Sequence, residues 1–415
     1  MSKREFFKVI ELPRAFAIIA DQVPRPSLES ESVPLDACLG RYLARDVFAE
    51  EDIPPFNRSI MDGFAVRSSD TFGATAGSPA YLEVSGAVRM GMAADLSIAP
   101  GQAAAIPTGG MLPQGADAVV MIEHTAPIDE STIEVGKPVA PGENVVSAGE
   151  DFRTGDLLMK AGMRLRPQDL GALAALGHGS IDVFRPVRVG ILSTGDEIVD
   201  VDAPVGPGQL RDVNYYAIAG LVRSSGSEPV RLGICPDDAA LIRDRLAGAI
   251  DTCDIVIVSG GSSVGAADIA PEVIDGLGEP GILIHGIAVK PGKPSIIAVA
   301  DGTPVFGLPG HPVSAFDIYN LLVDRLIGLF YGGEDSRWST RPQIRAKLGR
   351  NLSSVSGRED RIRVTLEQRE DGIWANPLMG KSGLISLLVR ADGVAVIPFE
   401  AEGIERGGEV CVELF

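Results

Sequence analysis

Between about Val183 and Gly333 the chain alternates short apolar runs with helical ones, and this rhythm constrains the fold more than any other feature. Val187–Leu192, Pro229–Ile234, Ile255–Ser259, Ile282–Ile287 and Val305–Leu308 read as strands. Asn214–Ser225, Ala239–Ile250 and the longer Val313–Phe330 read as helices. Apolar strands alternating with helices predict a mainly parallel sheet covered on both faces. Asp237 and Asp238 stand just before the second helix, where a capping carboxylate belongs. Sheets of this class bind ligands beyond the C-terminal strand ends, near the point where strand order reverses.

Three of those strand ends run into polar, turn-forming segments on one sheet edge. They are Ser193-Thr194-Gly195-Asp196-Glu197, then Gly260-Gly261-Ser262-Ser263-Val264-Gly265 with Asp268 close behind, and Pro309-Gly310-His311-Pro312. A Gly/Ser loop lets backbone N–H groups approach phosphate oxygens closely. Asp196, Glu197 and Asp268 are the carboxylates suited to hold Mg²⁺ against a phosphate. A single loop of this kind is as readily a plain turn, and Asp196 alone can be a helix cap. Three on one edge point to an anion site. Val289-Lys290-Pro291-Gly292-Lys293-Pro294 adds two lysines around a Pro-Gly bend, which reads either as a solvated hairpin or as an oxyanion clamp. At a net charge of −19, an anionic ligand needs such local cations, free N–H groups or a metal ion, which favours the clamp.

The remaining chain divides around this block. Residues 1–49 and 141–182 read as a helical N-terminal unit, with Pro167 near a helix start and Gly177 just past its end. Residues 50–140 read as a small β-rich domain built on Tyr81–Val84, Ala103–Ile106 and Ala118–Ile122. Residues 334–415 read as a β-barrel or sandwich built on Ile344–Leu348, Ile362–Leu366, Val394–Ile397 and Val410–Leu414. The expected fold is therefore multidomain α/β plus β, with the α/β module at 183–333. The acidic balance argues against nucleic-acid and anionic-membrane partners. Cys38, Cys235, Cys253 and Cys411 are too dispersed for a metal site and read as reduced thiols. The N-terminal stretch is too interrupted for a signal or membrane segment, so a cytoplasmic protein is expected.

The motifs PPFNRSIMDGFAV, IPTGGMLPQGADAVVMIE, GENVVSAGEDFRTGD, LSTGDEIVD, GQLRDVNYYAI, VSGGSSVGAADI, VKPGKP, GLPGHPVSAF and GKSGLISLLVRADGVAVIP occur in colinear order over nearly the whole chain. In them the chain resembles the molybdopterin molybdenumtransferases, the MoeA family, whose animal relative forms the E domain of gephyrin. Two details depart from the usual pattern. His311 stands where Asn is common after LPG, and SIMDG replaces the commoner SAMDG.

The resemblance implies an elongated homodimer of four-domain protomers with a molybdopterin-binding α/β module and a C-terminal β-barrel. It implies adenylyl-molybdopterin and molybdate as substrates, Mg²⁺ as the assisting ion, and molybdenum cofactor and AMP as products. Asp62, Asp151, Glu197, Asp268, Lys290 and Lys293 are the implied catalytic residues. Thr108, Thr194, Asp237, the loop Ser259, Gly260, Gly261, Ser262, Ser263 and Gly265, then Pro309, Gly310, Pro312, Arg358 and Ser382 are the implied substrate contacts. In the expected division of labour, the Ser259–Gly265 loop and Asp237 hold the pterin–phosphate portion, while Asp196, Glu197 and Asp268 hold the metal. Lys290, Lys293 and Arg358 draw molybdate in, and Ser382 donates to an oxo group. Asp62 and Asp151 are acid–base or structural. The family site lies between protomers, and molybdopterin adenylyltransferase and other cofactor-assembly proteins are expected partners. Competing readings are the adenylyltransferase itself, which shares only the α/β module, a tungstate-specialised paralogue, and a non-catalytic scaffold. A dinucleotide-binding oxidoreductase lacks its GxGxxG here.

Overall fold

The computed structural model describes residues 9–260, 270–332 and 341–415. The α/β module contains β1 (Arg188–Thr194), α1 (Asn214–Ser224), β2 (Glu228–Cys235), α2 (Ala239–Ile250), β3 (Ile255–Ser259), α3 (Ala270–Asp275), β4 (Pro280–His285), β5 (Ile296–Ala300) and β6 (Thr303–Leu308). A long helix follows, with α-helical turns Pro312–Ile318 and Asp324–Phe330 on either side of a π-helical stretch, Tyr319–Val323. The sheet order is β2-β1-β3-β6-β5-β4. β1 pairs in parallel with β2 and β3, and β3 with β6, whereas β5 runs antiparallel to both β6 and β4. The chain leaves β1 for β2 and then recrosses to β3, so strand order reverses between β1 and β3. A ligand crevice belongs at the C-terminal ends of those two strands.

Alternate residues of the central strands face opposite helical layers. Ile191, Ile257 and Phe306 pack with Ile218, Val222, Ile318 and Leu322 on one face. Leu192, Val256 and Val258 pack with Ile242, Leu246, Val273 and Ile274 on the other. Burial on both faces is why these strands are continuously apolar. β5 is not among the strands expected from the sequence. It forms a hairpin with β6 through Asp301 (φ +49°) and Gly302 (φ +96°), the left-handed pair that Asp-Gly supplies to a tight hairpin turn.

Helix Leu12–Gln22 buries Ala15, Phe16 and Ile19 in the first of these two layers. By packing it goes with the α/β module, although its sequence position groups it with the first block. The rest of that block is held by strands more than helices. Ser30–Pro34 pairs with Ser180–Phe184 and Val47–Phe48 with Leu157–Met159, which returns the 141–182 segment to the N-terminal one. Helix Pro167–Ala175 starts on its proline and is followed by Gly177 at φ +80°. The β-rich unit is a sheet ordered Ala118–Met121, Gly63–Val66, Gln102–Ile106, Ala80–Ala87, Thr132–Val135, Thr125–Pro127.

The C-terminal strands Gln343–Leu348, Glu359–Arg369, Gly372–Pro377, Gly393–Ile397 and Glu409–Leu414 close on themselves as a five-stranded barrel. Ala346, Leu348, Val364, Ala375, Ala395, Ile397 and Val412 fill it. The strand Gly372–Pro377, too mixed in polarity to stand out in the sequence, completes the closure. A short strand of the α/β module, Val289–Lys290, joins the barrel in parallel and sets Lys290 opposite Asp360.

Candidate active-site cleft

The ends of β1, β3 and β6 open into a cleft of about 960 Å³. Thr194, Gly195 and Glu197 line it from the β1 loop, Ser259 and Gly260 from β3, and Pro309, Gly310, His311 and Pro312 from β6. Asp237 enters after β2, Pro294 from the lysine turn, and Gly383 and Ile385 from the barrel. The loops thus converge as the parallel sheet requires. Gly261, Ser262, Ser263, Gly265 and Asp268 lie outside the described residues.

Gly260 is fixed by close approach. It adopts φ +117°, and a Cβ there would stand 2.4 Å from the Thr194 carbonyl oxygen. Only glycine brings β1 and β3 loops this near. Its N–H donates to the Leu308 carbonyl at 3.1 Å, so this amide, expected to meet phosphate, is spent on joining β3 to β6.

The adjacent aspartates before α2 divide their work. Asp238 is the cap, accepting from Ala240 N at 2.8 Å and Leu241 N at 3.0 Å. Asp237 is left to the cleft. Its own N–H donates to Asp196 Oδ1 at 3.1 Å, which ties the β1 and β2 loops together. Asp196 is therefore a loop tie and not a helix cap. Burial, followed by the charges of Asp196 and Glu197, raises the Asp237 carboxyl above the ordinary aspartate range. Among the described residues no three His, Cys, Asp or Glu side chains are arranged to enclose a metal ion. Asp196, Glu197 and Asp237 are the carboxylates gathered at these strand ends.

Ser382 sits on the barrel loop against the start of the helix that follows β6. Its carbonyl accepts from Val313 N at 3.1 Å, and its hydroxyl shares a hydrogen bond with His311 Nδ1 at 2.9 Å. The barrel loop therefore covers the start of the helix that follows β6, and the hydroxyl is engaged there. His311, noted in the sequence as a departure, is the residue that meets it.

Lys290 and Arg358 come together over Asp360, which is 3% exposed. Arg358 Nε lies 2.7 Å from Asp360 Oδ1, and Lys290 Nζ lies 3.9 Å from Oδ2. Lys293 is exposed on the same turn, one residue from the cleft-lining Pro294. Asp62 and Asp151 do not line the cleft. Asp62 Oδ1 accepts from Thr108 N at 2.7 Å and from its hydroxyl at 3.0 Å, and these two donors hold the carboxyl below its usual range. Asp151 is exposed and donates its N–H to the Ile53 carbonyl at 3.0 Å.

Asp212 and Asn214, not among the expected site residues, also line the cleft. Asp212 accepts from Ser193 Oγ at 2.6 Å and Tyr215 N at 3.0 Å. Asn214 donates to Ser259 Oγ and to the Gly310 carbonyl, each at 2.8 Å, so it bridges all three strand-end loops with Asp212. The available signal was a polar pair, Asp212 and Asn214, at the start of an otherwise apolar helix.

Three family models match the chain. Residues 10–177 match the MoeA N-terminal region (domain I and II), 190–328 a domain described as "Probable molybdopterin binding domain", and 345–415 the MoeA C-terminal region (domain IV). A protein of Haemophilus influenzae named molybdopterin molybdenumtransferase is 32% identical over 98% of this chain and 99% of its own length. A Nostoc protein of the same name is 34% identical over 95% and 91%. The crystal structure of a molybdopterin biosynthesis moeA protein from Pyrococcus horikoshii is similar at 32% identity and a TM-score of 0.83, covering 98% of this chain and 100% of that one.

Proposed function

The chain belongs to the MoeA family, and on that footing we propose that it is a molybdopterin molybdenumtransferase that inserts molybdate into adenylyl-molybdopterin, releasing AMP and forming molybdenum cofactor. The observation that carries this reading is the convergence of three strand-end loops, an acidic cluster and a barrel loop on one cleft.

In this reading the β1 and β3 loops and Asp237 orient the nucleotide-bearing part of the substrate. Asp196 and Glu197 hold Mg²⁺, which when bound neutralises charge on the leaving phosphate. Asp268 remains part of the proposed set. Lys290 and Arg358, gathered over Asp360, and Lys293 form the cationic approach for molybdate. The anion meets them against a field of −19, so local cations have to outweigh the global charge. The Ser382–His311 contact positions the barrel loop over the cleft. Asp62 and Asp151, outside the cleft of their own chain, are proposed to serve the site of a second copy in a homodimer. A cytoplasmic setting and a preceding adenylyltransferase complete the reading. No helix among the described residues is long and apolar enough to cross a membrane.

The test combines purified protein with adenylyl-molybdopterin, molybdate and Mg²⁺. AMP release that requires molybdate is expected. Consumption of ATP with free molybdopterin would instead identify an adenylyltransferase.

A further inference from the structure

One strand of the barrel, Glu359–Arg369, buries three charged side chains: Asp360, Arg361 and Arg363 are 3%, 6% and 2% exposed. Arg361 stays within the barrel, on Glu359 and Glu413. The rest of the strand's charge is turned to the α/β module. At Asp360 the strand pairs with Val289–Lys290, the start of the lysine turn. Further along, Arg363 takes Asp317 of the helix that follows β6, at 2.8 and 2.7 Å. Both module elements border the cleft, one through Pro294 and the other through Pro309, Gly310, His311 and Pro312.

The Pro309–Pro312 turn is held from two sides. From the α/β side, Asn214 donates to the Gly310 carbonyl at 2.8 Å. From the barrel side, the Ser382 carbonyl accepts from Val313 N at 3.1 Å, and the Ser382 hydroxyl meets His311 Nδ1 at 2.9 Å. Arg363 Nη2 also donates to the Val313 carbonyl at 3.4 Å. The Arg363 carbonyl in turn accepts from Leu378 N at 2.8 Å, at the root of the loop that carries Ser382 and the cleft-lining Gly383 and Ile385. Arg363 therefore holds the helix start by its side chain and the barrel loop by its backbone.

Stability alone does not call for this arrangement. Two desolvated charges gain little over a well-packed apolar pair of similar volume. What a bidentate guanidinium–carboxylate pair adds is direction, because its two parallel bonds fix distance and angle together.

We propose that Arg363 and Asp317 are positioning residues, which set the Pro309–Pro312 turn of the α/β module against the Gly383–Ile385 loop of the barrel. The inference rests on the cleft being the substrate site proposed above. A reaction that draws on both walls then depends on the pair, whereas nucleotide binding to the strand-end loops does not.

The test replaces the pair by an apolar one, Asp317→Leu with Arg363→Met, in the full-length protein. The readouts are thermal unfolding, hydrogen exchange over residues 309–318 and 378–385, calorimetric affinity for AMP, and molybdate-dependent AMP release. Unfolding temperature and AMP affinity should match wild type. Exchange in both segments should quicken, and kcat should fall, each by at least about tenfold. Arg363→Lys keeps the charge without the planar fork, so it should show the same fall in kcat at unchanged KM for adenylyl-molybdopterin. It also carries the test if the apolar pair does not fold. Wild-type exchange or wild-type kcat in a folded variant would overturn the proposal, since the pair would then only join the domains. So would AMP affinity falling in step with kcat. If wild-type protein binds no AMP, or releases none with molybdate, the functional reading fails, and exchange still decides whether the pair positions the turn.

Discussion

Arg363 of the barrel grips Asp317 of the helix that follows β6 through two parallel hydrogen bonds, Nη1 to Oδ2 at 2.8 Å and Nη2 to Oδ1 at 2.7 Å. The side chains are 1% and 3% exposed. The pair joins the barrel to the helix whose first turn borders the cleft. Removing one partner leaves a buried charge alone, which costs about 3–5 kcal/mol. Asp317→Ala and Arg363→Ala should each lower unfolding free energy by that order in denaturant titrations. Replacing both, as in Asp317→Leu with Arg363→Met, should recover most of the loss.

The neighbouring aspartates before α2 should respond in opposite ways. Asp238→Ala removes the helix cap and should cost about 0.5–2 kcal/mol while leaving turnover intact. Asp237→Asn should abolish most AMP release yet stabilise the protein at neutral pH. The sign follows from the raised carboxyl of Asp237. A group raised on folding contributes stability that is complete below its unfolded pKa and lost as pH rises through its folded one. At neutral pH the ionised carboxylate is therefore a penalty that asparagine lacks. Thermal unfolding of both proteins from acid to neutral pH should show the gap opening as pH rises and vanishing in acid.

Gly260→Ala should damage both fold and function. At φ +117° with a carbonyl 2.4 Å from the new Cβ, the β1 and β3 loops must separate. Backbone strain alone is about 1–3 kcal/mol. Equilibrium unfolding and AMP release should fall together.

Ser382 and His311 should behave as a unit. A double-mutant cycle with Ser382→Ala and His311→Ala should yield a stability coupling of about 0.5–1.5 kcal/mol, the net worth of their hydrogen bond.

Much of this was legible in the sequence because the central strands are buried on both faces, and continuous apolar runs such as Ile255–Val258 declare that. The strand-end loops followed from parallel topology. What was hidden depends on contacts distant in sequence or on backbone angles. Asp237 and Asp238 are chemically identical, and only the extended backbone of Asp238 selects it as the cap. The Ser382 hydroxyl meets His311, 71 residues away, a contact that no local spacing announces. The Gly260 N–H goes to β6, whose closeness no local pattern announces. Asn214 stands at a helix start in the sequence, and only the fold brings Ser259 and Gly310 to its amide.

The most direct test of the account is reconstitution of a molybdenum-free apoenzyme. Wild-type protein, adenylyl-molybdopterin, molybdate and Mg²⁺ should together restore activity in step with AMP release, and Asp237→Asn should lose both while remaining folded. Undiminished restoration by Asp237→Asn, or AMP release by wild type without any restored activity, would contradict the assignment of this cleft to metal insertion.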